Sequence, residues 1–111
     1  MNLIHHKNLD QQKWFSLPLA EQMANIGSEA NRTIIWKNKG ITKYANSAFE
    51  RFLELIDLTV EDSKNKHRLK EILRVREMFA NWYLGGNQYG STERLWQNYF
   101  LAYNYLARRN R

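Results

Sequence analysis

Apolar residues recur at steps of three and four along four long segments of the chain, a spacing that indicates amphipathic α-helices. The first stripe shows this most plainly, with successive steps of four, three, four and four residues: Leu19, Met23, Ile26, Ala30 and Ile34. No stretch has the sustained alternation that is typical of a half-buried β-strand. We therefore predict four helices, at approximately residues 17–38, 41–61, 66–84 and 92–109.

Residues that begin or end helices separate these four segments. Ser16 followed by Pro18 is typical of a helix N-terminus, and Gly40 is typical of a position just past a helix end. Because short connections favour antiparallel neighbours, we predict an all-α fold, an antiparallel up-down four-helix bundle. The bundle covers residues 16–111, and residues 1–15 form an irregular N-terminal arm.

Gly27 stands in the middle of the first predicted helix. Glycine there weakens the helix by up to about 1 kcal/mol relative to alanine. A close approach of another helix would explain the glycine, and chance is the alternative.

Aromatic residues make up 14% of the chain, a high share for a small protein. Such rings either fill the core or lie on a surface that another molecule covers. Five of them do not all fit one core stripe: Trp36, Trp82, Tyr89, Trp96 and Tyr105. We expect these five to form a subunit interface, and stacking on unpaired bases is the alternative use.

The sequence also bears on the compartment. It contains no cysteine, so neither a disulfide nor a thiolate metal site is available. The N-terminal residues lack the apolar run of a signal peptide, and no segment approaches the length of a membrane span. We expect a cytoplasmic protein that does not bind membranes.

Metal chemistry has little support. Di-iron bundles use Glu-x-x-His pairs, yet none of the three histidines (His5, His6 and His67) follows a glutamate by three residues. The His5-His6 pair lies in the predicted arm and is best explained as part of a solvated tail. We expect no metal and no cofactor.

Catalytic motifs are equally absent. No arginine precedes His67 by four to six residues, as it would in a helical ribonuclease of the HEPN type. The serines have no histidine and acid at a recognisable spacing, and Gly85-Gly86 is not part of a phosphate-binding loop. Four carboxylates on the second predicted helix are best read as a solvated face: Glu50, Glu54, Asp57 and Glu61. We expect neither an enzyme nor a small-molecule substrate.

Positive charge is concentrated in the second half of the chain. The net charge is +6, and residues 63–111 hold ten Lys and Arg against three acids. Such asymmetry favours a polyanion or an acidic protein as the partner. A surface that is basic only for solubility is the alternative.

The strongest functional feature is a run of cations along the third predicted helix. Lys66, Lys70 and Arg74 are four residues apart and would form one ridge that can follow a phosphate backbone. In an up-down bundle the start of this helix lies near the end of the last helix, so the C-terminal arginines would join it. The predicted nucleic-acid-binding residues are Lys64, Lys66, Arg68, Lys70, Arg74, Arg76, Arg108, Arg109 and Arg111.

Two phrases, at residues 19–29 (LAEQMANIGSE) and 48–59 (AFERFLELIDLT), look like those of small proteins common in bacterial genomes. With the length, the four-helix layout and the basic charge, the chain resembles the four-helix-bundle family of ribosomal-RNA intervening-sequence proteins. That family includes the accessory variability determinant of diversity-generating retroelements.

The resemblance implies a basic homopentamer that binds a reverse transcriptase and its template RNA. It would support mutagenic cDNA synthesis without carrying out chemistry itself. The leading hypothesis is therefore a non-enzymatic, oligomeric, RNA-binding accessory protein. The alternative is a helical protein-interaction subunit, of a scaffold or antitoxin-like kind, that binds no nucleic acid.

Overall fold

The structure, a computed structural model, describes residues 5–6 and 8–109 of the chain. All regular structure in these residues is helical, which confirms the predicted all-α class. The α-helices are α1 (Gln11–Ser16), α2 (Leu19–Asn38), α3 (Thr42–Glu61), α4 (Leu69–Leu84) and α5 (Glu93–Arg109), and a 3₁₀ segment (Ser63–Arg68) precedes α4. The described part measures 36 × 27 × 25 Å.

Helix α1 lies where the sequence predicted an irregular arm. The Asp10 carboxylate caps it by accepting hydrogen bonds from the N–H groups of Gln12 (3.0 Å) and Lys13 (3.3 Å). Trp14 is buried, and its indole N–H donates to Thr59 Oγ1 at 3.2 Å. The arm is therefore helical at its end because a tryptophan anchors it to α3. Residues 1–4 and 7 of the predicted arm lie outside the described residues.

Ser16 was predicted to cap the first long helix, but it does not. It is the last residue of α1, and its hydroxyl donates to the Lys13 carbonyl at 2.6 Å. Helix α2 begins after Pro18, which has no side chain that could accept a capping hydrogen bond.

The third long helix begins later than predicted because the chain first forms a 3₁₀ turn. The Asp62 carboxylate accepts from the Lys64 N–H at 3.1 Å, and the buried Asn65 amide donates to the Thr59 carbonyl at 3.1 Å. These bonds hold Ser63–Arg68 in the tighter helix, so that α4 starts at Leu69.

The core lies between α2, α3, α4 and α5 and is rich in aromatic rings. Helix α2 packs against both α3 and α5, and α3 packs against α4. Phe79 is central, since its ring lies 4.5 Å from that of Phe52 and 5.4 Å from that of Trp96. Ring pairs at these separations add to the stability that burial itself provides.

Helices α2 and α5 approach closely at Gly27. A Cβ at this position would lie 2.7 Å from Phe100 Cβ, closer than side chains can come without movement. The glycine is therefore explained by helix packing, which was the first of the two sequence-based interpretations. Among the described residues, no helix is both long and apolar enough to cross a membrane.

Candidate nucleic-acid interface

Three of the nine predicted nucleic-acid-binding residues form ion pairs within the chain. Lys64 pairs with Asp62, and Arg68 pairs with Glu71. Arg76 binds the Asp57 carboxylate through Nε (2.6 Å) and Nη2 (3.3 Å). The positive charge of these three is locally compensated, so they are poorer phosphate ligands than their sequence position suggested. Arg111 lies outside the described residues.

Asp62 belongs to a buried polar network that joins four segments. Its carboxylate accepts from the Gln22 amide at 2.8 Å, while Lys64 Nζ also donates to the Phe15 carbonyl at 2.9 Å. Burial raises the pKa of Asp62, but the hydrogen bonds from Lys64 and Gln22 outweigh it and hold that pKa below its ordinary value. Lys64 therefore holds the 3₁₀ segment against α1 and α2.

Glu71 is the centre of a second polar cluster, between α4 and α5. It accepts hydrogen bonds from Arg68 Nε (2.7 Å) and from the hydroxyls of Tyr99 (3.2 Å) and Tyr103 (3.1 Å). Burial raises the Glu71 pKa, yet the bonds from Arg68 and the two tyrosines lower it further than burial raises it. Burial, together with the neighbouring Tyr103 and Glu71, raises the pKa of Tyr99.

The remaining cations of this region face solvent. Lys66, Lys70 and Arg74, here called the basic ridge, are all exposed and form no ion pair with any described residue. Lys70 and Arg74 lie one turn apart on α4 beside a shallow depression of about 470 Å³. Lys66 lies in the 3₁₀ segment, so the ridge is not the single α-helical row that the sequence predicted.

Tyr103, in the second half of α5, lies near the start of α4. Arg68 Nη2 contacts the Tyr103 hydroxyl at 3.3 Å, which brings the last turns of α5 to this end. Arg108 lines a small cleft with Glu21 and Ala24 near the start of α2. Arg108 and Arg109 are both exposed.

The two histidines of the arm are not a solvated tail. The His5 backbone N–H donates to both carboxylate oxygens of Glu54 at 3.0 Å, and His5 Nε2 lies 2.8 Å from a Glu50 oxygen. Both His5 and His6 are half-buried against α3. The prediction of a solvated acidic face was therefore wrong for Glu54 and Asp57, which are half-buried and paired, whereas Glu50 and Glu61 are exposed. The described residues contain no group of three or more His, Asp or Glu that could hold a metal ion.

The five aromatic residues predicted as an interface occupy three environments. Trp96 is a core residue with 2% exposure, because it lies on the buried face of α5 between Phe79 and Phe100. Its assignment to an interface was wrong. Tyr105 is 68% exposed, and Tyr89 is exposed with its hydroxyl donating to Glu77 at 2.8 Å.

Trp36 and Trp82 lie half-buried at the end of the molecule opposite the 3₁₀ segment. Lys39 Nζ lies 5.1 Å from the Trp36 ring centroid, and Lys37 Nζ lies 5.3 Å from that of Trp82. The second of these cation–π contacts, between Lys37 and Trp82, joins the end of α2 to the end of α4. Exposed apolar residues surround them, and together they are here called the loop-end cluster: Trp36, Ile41, Tyr44, Trp82 and Leu84.

The sequence analysis missed Ile41, Tyr44 and Leu84 as surface residues, and it also missed Leu101 on α5. For two of them the sequence itself indicated an exposed position. Leu84 directly precedes Gly85, where a helix end leaves side chains exposed, and Leu101 stands off the stripe of Trp96, Phe100 and Tyr103.

Comparison of the chain with protein-family models, with curated proteins and with solved structures found no match.

Proposed function

We propose that the protein is a non-enzymatic, oligomeric RNA-binding accessory protein of the cytoplasm. The basic ridge is the observation that carries this proposal, because its three cations are exposed and form no ion pair with any described residue. Arg108 and Arg109 are also exposed, at the end of α5, and add positive charge to the molecule.

The ridge has the chemistry that a phosphate backbone requires. Side chains four residues apart on a helix lie about 6 Å from each other, so Lys70 and Arg74 can contact neighbouring phosphates. Each phosphate that they neutralise releases condensed counterions, which makes the affinity dependent on salt. Lys64 and Arg68 contribute mainly by holding the 3₁₀ segment in place, and Arg76 by joining α4 to α3. Each of the three is paired with a carboxylate of the same chain.

A filter-binding titration with a structured RNA, at about 50 and about 200 mM salt, tests this proposal. We expect binding at the lower salt and a clear loss of affinity at the higher salt. Absence of binding at low salt, or an affinity that does not change with salt, would contradict RNA binding and favour the alternative of a helical protein-interaction subunit.

The proposal includes an antiparallel up-down arrangement of the four long helices. Three contacts support it, because each joins the start of one helix to the end of another: Gln22 with Asp62 (2.8 Å), Asn38 with Glu93 (3.1 Å) and Asn46 with Tyr83 (2.6 Å). The double variant Asn38→Cys/Glu93→Cys tests it in this cysteine-free chain. We expect a short bifunctional thiol reagent to join the two cysteines within one chain, and failure to cross-link would contradict the arrangement.

The loop-end cluster is the proposed contact between subunits. It combines two half-buried tryptophans with exposed Ile41 (39%), Tyr44 (49%) and Leu84 (72%). Aromatic residues concentrate binding energy at protein interfaces, and an exposed apolar cluster of this kind is stabilised when a second subunit covers it.

The resemblance to the accessory proteins of diversity-generating retroelements extends the proposal to a reverse transcriptase and its template RNA as partners, and to a pentamer as the assembly. Support for this step comes from the two sequence phrases, the length and the basic charge. The neighbouring genes test it: we expect a reverse transcriptase gene with paired template and variable repeats. A neighbourhood without a reverse transcriptase would overturn this step and leave RNA binding itself open to the titration.

A further inference from the structure

Helix α5 carries large apolar side chains outside its buried face. Four of them are exposed: Leu95 (44%), Leu101 (62%), Tyr105 (68%) and Leu106 (42%). Leu101 and Tyr105 lie one turn apart on the side here called the outer face, and Leu95 and Leu106 flank it on one side, about 120–140° around the helix axis from Leu101. The buried face already contributes Trp96 and Phe100 to the core. No described helix covers the outer face. An exposed apolar surface of this kind on a small protein typically marks a binding site.

The charges on this face indicate the chemistry of what binds there. Arg94 lies at one end of the apolar residues, and Arg108 and Arg109 lie at the other, all of them exposed. None of the exposed residues of α5 is acidic, because Glu93 is half-buried and accepts a hydrogen bond from Asn38. A partner with carboxylates at both ends would complement the face.

A second copy of the same face fits poorly. If two α5 helices paired antiparallel, Arg94 of each would meet Arg108 of the other. In a parallel pair each arginine would meet its own equivalent. Both arrangements place like charges together, which disfavours self-association through α5.

A groove between α2 and α5 adjoins the face and adds polar groups. It has a volume of about 340 Å³ and includes Leu101 at its rim. Four side-chain amides line it without a hydrogen-bond partner among the described residues: Asn31, Gln97, Asn98 and Asn104. Amides both donate and accept, so they can bind the polar side chains that flank an apolar residue of a partner.

We propose that the outer face of α5 and this groove bind an acidic amphipathic helix from another protein. Arg94 and Arg108 are separated by about 21 Å along the helix. A partner helix of about four turns matches this length, with an apolar stripe on Leu101 and Tyr105 and carboxylates near Arg94 and Arg108. This inference goes beyond RNA binding and does not depend on it.

A displayed library of helical peptides of about 16 residues, randomised at every outward position, tests the inference. Peptides are selected on the wild-type protein and counter-selected on the variant Leu101→Gln/Tyr105→Gln, which we expect to fold normally because both changes lie at exposed positions. We expect enriched peptides to have apolar residues at helical spacing and Asp or Glu near both ends. Their affinity should fall by at least about tenfold in Leu101→Gln/Tyr105→Gln, and similarly in Arg94→Gln/Arg108→Gln.

Several outcomes overturn the inference. They are a selection without enrichment, enrichment of basic or uncharged peptides, and peptides that bind the two variants as well as the wild type. Loss of RNA binding in Leu101→Gln/Tyr105→Gln would assign the face to nucleic acid instead. A change in assembly size in that variant would assign it to a second copy of the chain.

The variant Lys70→Gln/Arg74→Gln separates this inference from the proposed function. It should keep its affinity for the selected peptides while losing affinity for RNA. If the protein binds no RNA at all, the peptide selection still tests this inference independently.

Discussion

Gly27 of α2 and Phe100 of α5 lie in direct contact, and a Cβ at residue 27 would lie 2.7 Å from Phe100 Cβ and 2.9 Å from Phe100 Cδ1. Gly27 is buried, and Phe100 is only 4% exposed. The absence of a side chain at this one position therefore sets how closely the last helix packs onto the first long helix.

Gly27→Ala should destabilise the protein, although alanine is the better helix former by about 1 kcal/mol. Overpacking of a filled core costs about 1–3 kcal/mol, so after the helix gain is subtracted we expect the free energy of unfolding to fall by up to about 2 kcal/mol. Urea denaturation followed by circular dichroism measures this. Ser28→Ala, at the exposed next position, is the control and should leave stability within about 0.5 kcal/mol of wild type. A Gly27→Ala variant that is about 1 kcal/mol more stable than wild type, as helix propensity alone would make it, would contradict the contact.

Asp62→Asn should weaken the junction of α1, α2 and the 3₁₀ segment. The charged carboxylate accepts hydrogen bonds from Gln22 and Lys64, and a bond to a charged group contributes about 1.5–3 kcal/mol. We expect a loss of this order in the free energy of unfolding at about pH 7, measured by urea denaturation.

The difference between Asp62→Asn and wild type should depend on pH. The pKa of Asp62 is lower in the folded protein than its ordinary value of 3.8. The carboxylate therefore stabilises the fold fully above that ordinary value, and this stabilisation is lost as the pH falls through the lower folded value. The gap should shrink on acidification. Glu61→Gln, at an exposed carboxylate, is the control, and a gap that stays constant or widens would count against the network.

Tyr44→Gln/Leu84→Gln should reduce the size of the assembly, because both side chains belong to the loop-end cluster. Light scattering of the purified chain measures the mass. The matched control is Leu101→Gln/Tyr105→Gln, which changes the same two residue types at similarly exposed positions of α5 and should leave the mass unchanged. A monomeric wild type, or equal masses for wild type and the Tyr44→Gln/Leu84→Gln variant, would contradict the proposed subunit contact.

The long helices could be predicted because their apolar stripes are local in sequence. Helix α1 could not be predicted, because intrinsic helix propensity contributes little stability to a helix of six residues. What holds this helix in place is the contact of Trp14 with Thr59, 45 residues away. The delayed start of α4 has the same origin. Asn65 is held by Gln22 at 2.9 Å across 43 residues, and no local pattern indicates that bond.

The candidate site was predictable in its charges but not in their pairing. Counting cations identified the region, whereas the partner of Arg76 is Asp57, on the neighbouring helix. Trp96 was misassigned because the rings were judged against a single stripe, although steps of four and three place it beside Phe100 and Tyr103. The number of rings that a small core accepts depends on packing between helices, which the sequence of one helix does not contain.

The central claim, that the basic ridge binds RNA, is tested most directly by the salt dependence of affinity in a charge-matched pair of variants. Lys70→Gln/Arg74→Gln removes two ridge cations, and Lys13→Gln/Lys43→Gln removes two exposed lysines elsewhere. We expect the first variant to bind RNA about tenfold or more weakly, with a slope of log affinity against log salt reduced by about two. The second variant should bind nearly as wild type does. Equal affinities and equal slopes for the two variants would contradict the account, because the ridge would then contribute no more than any other surface charge.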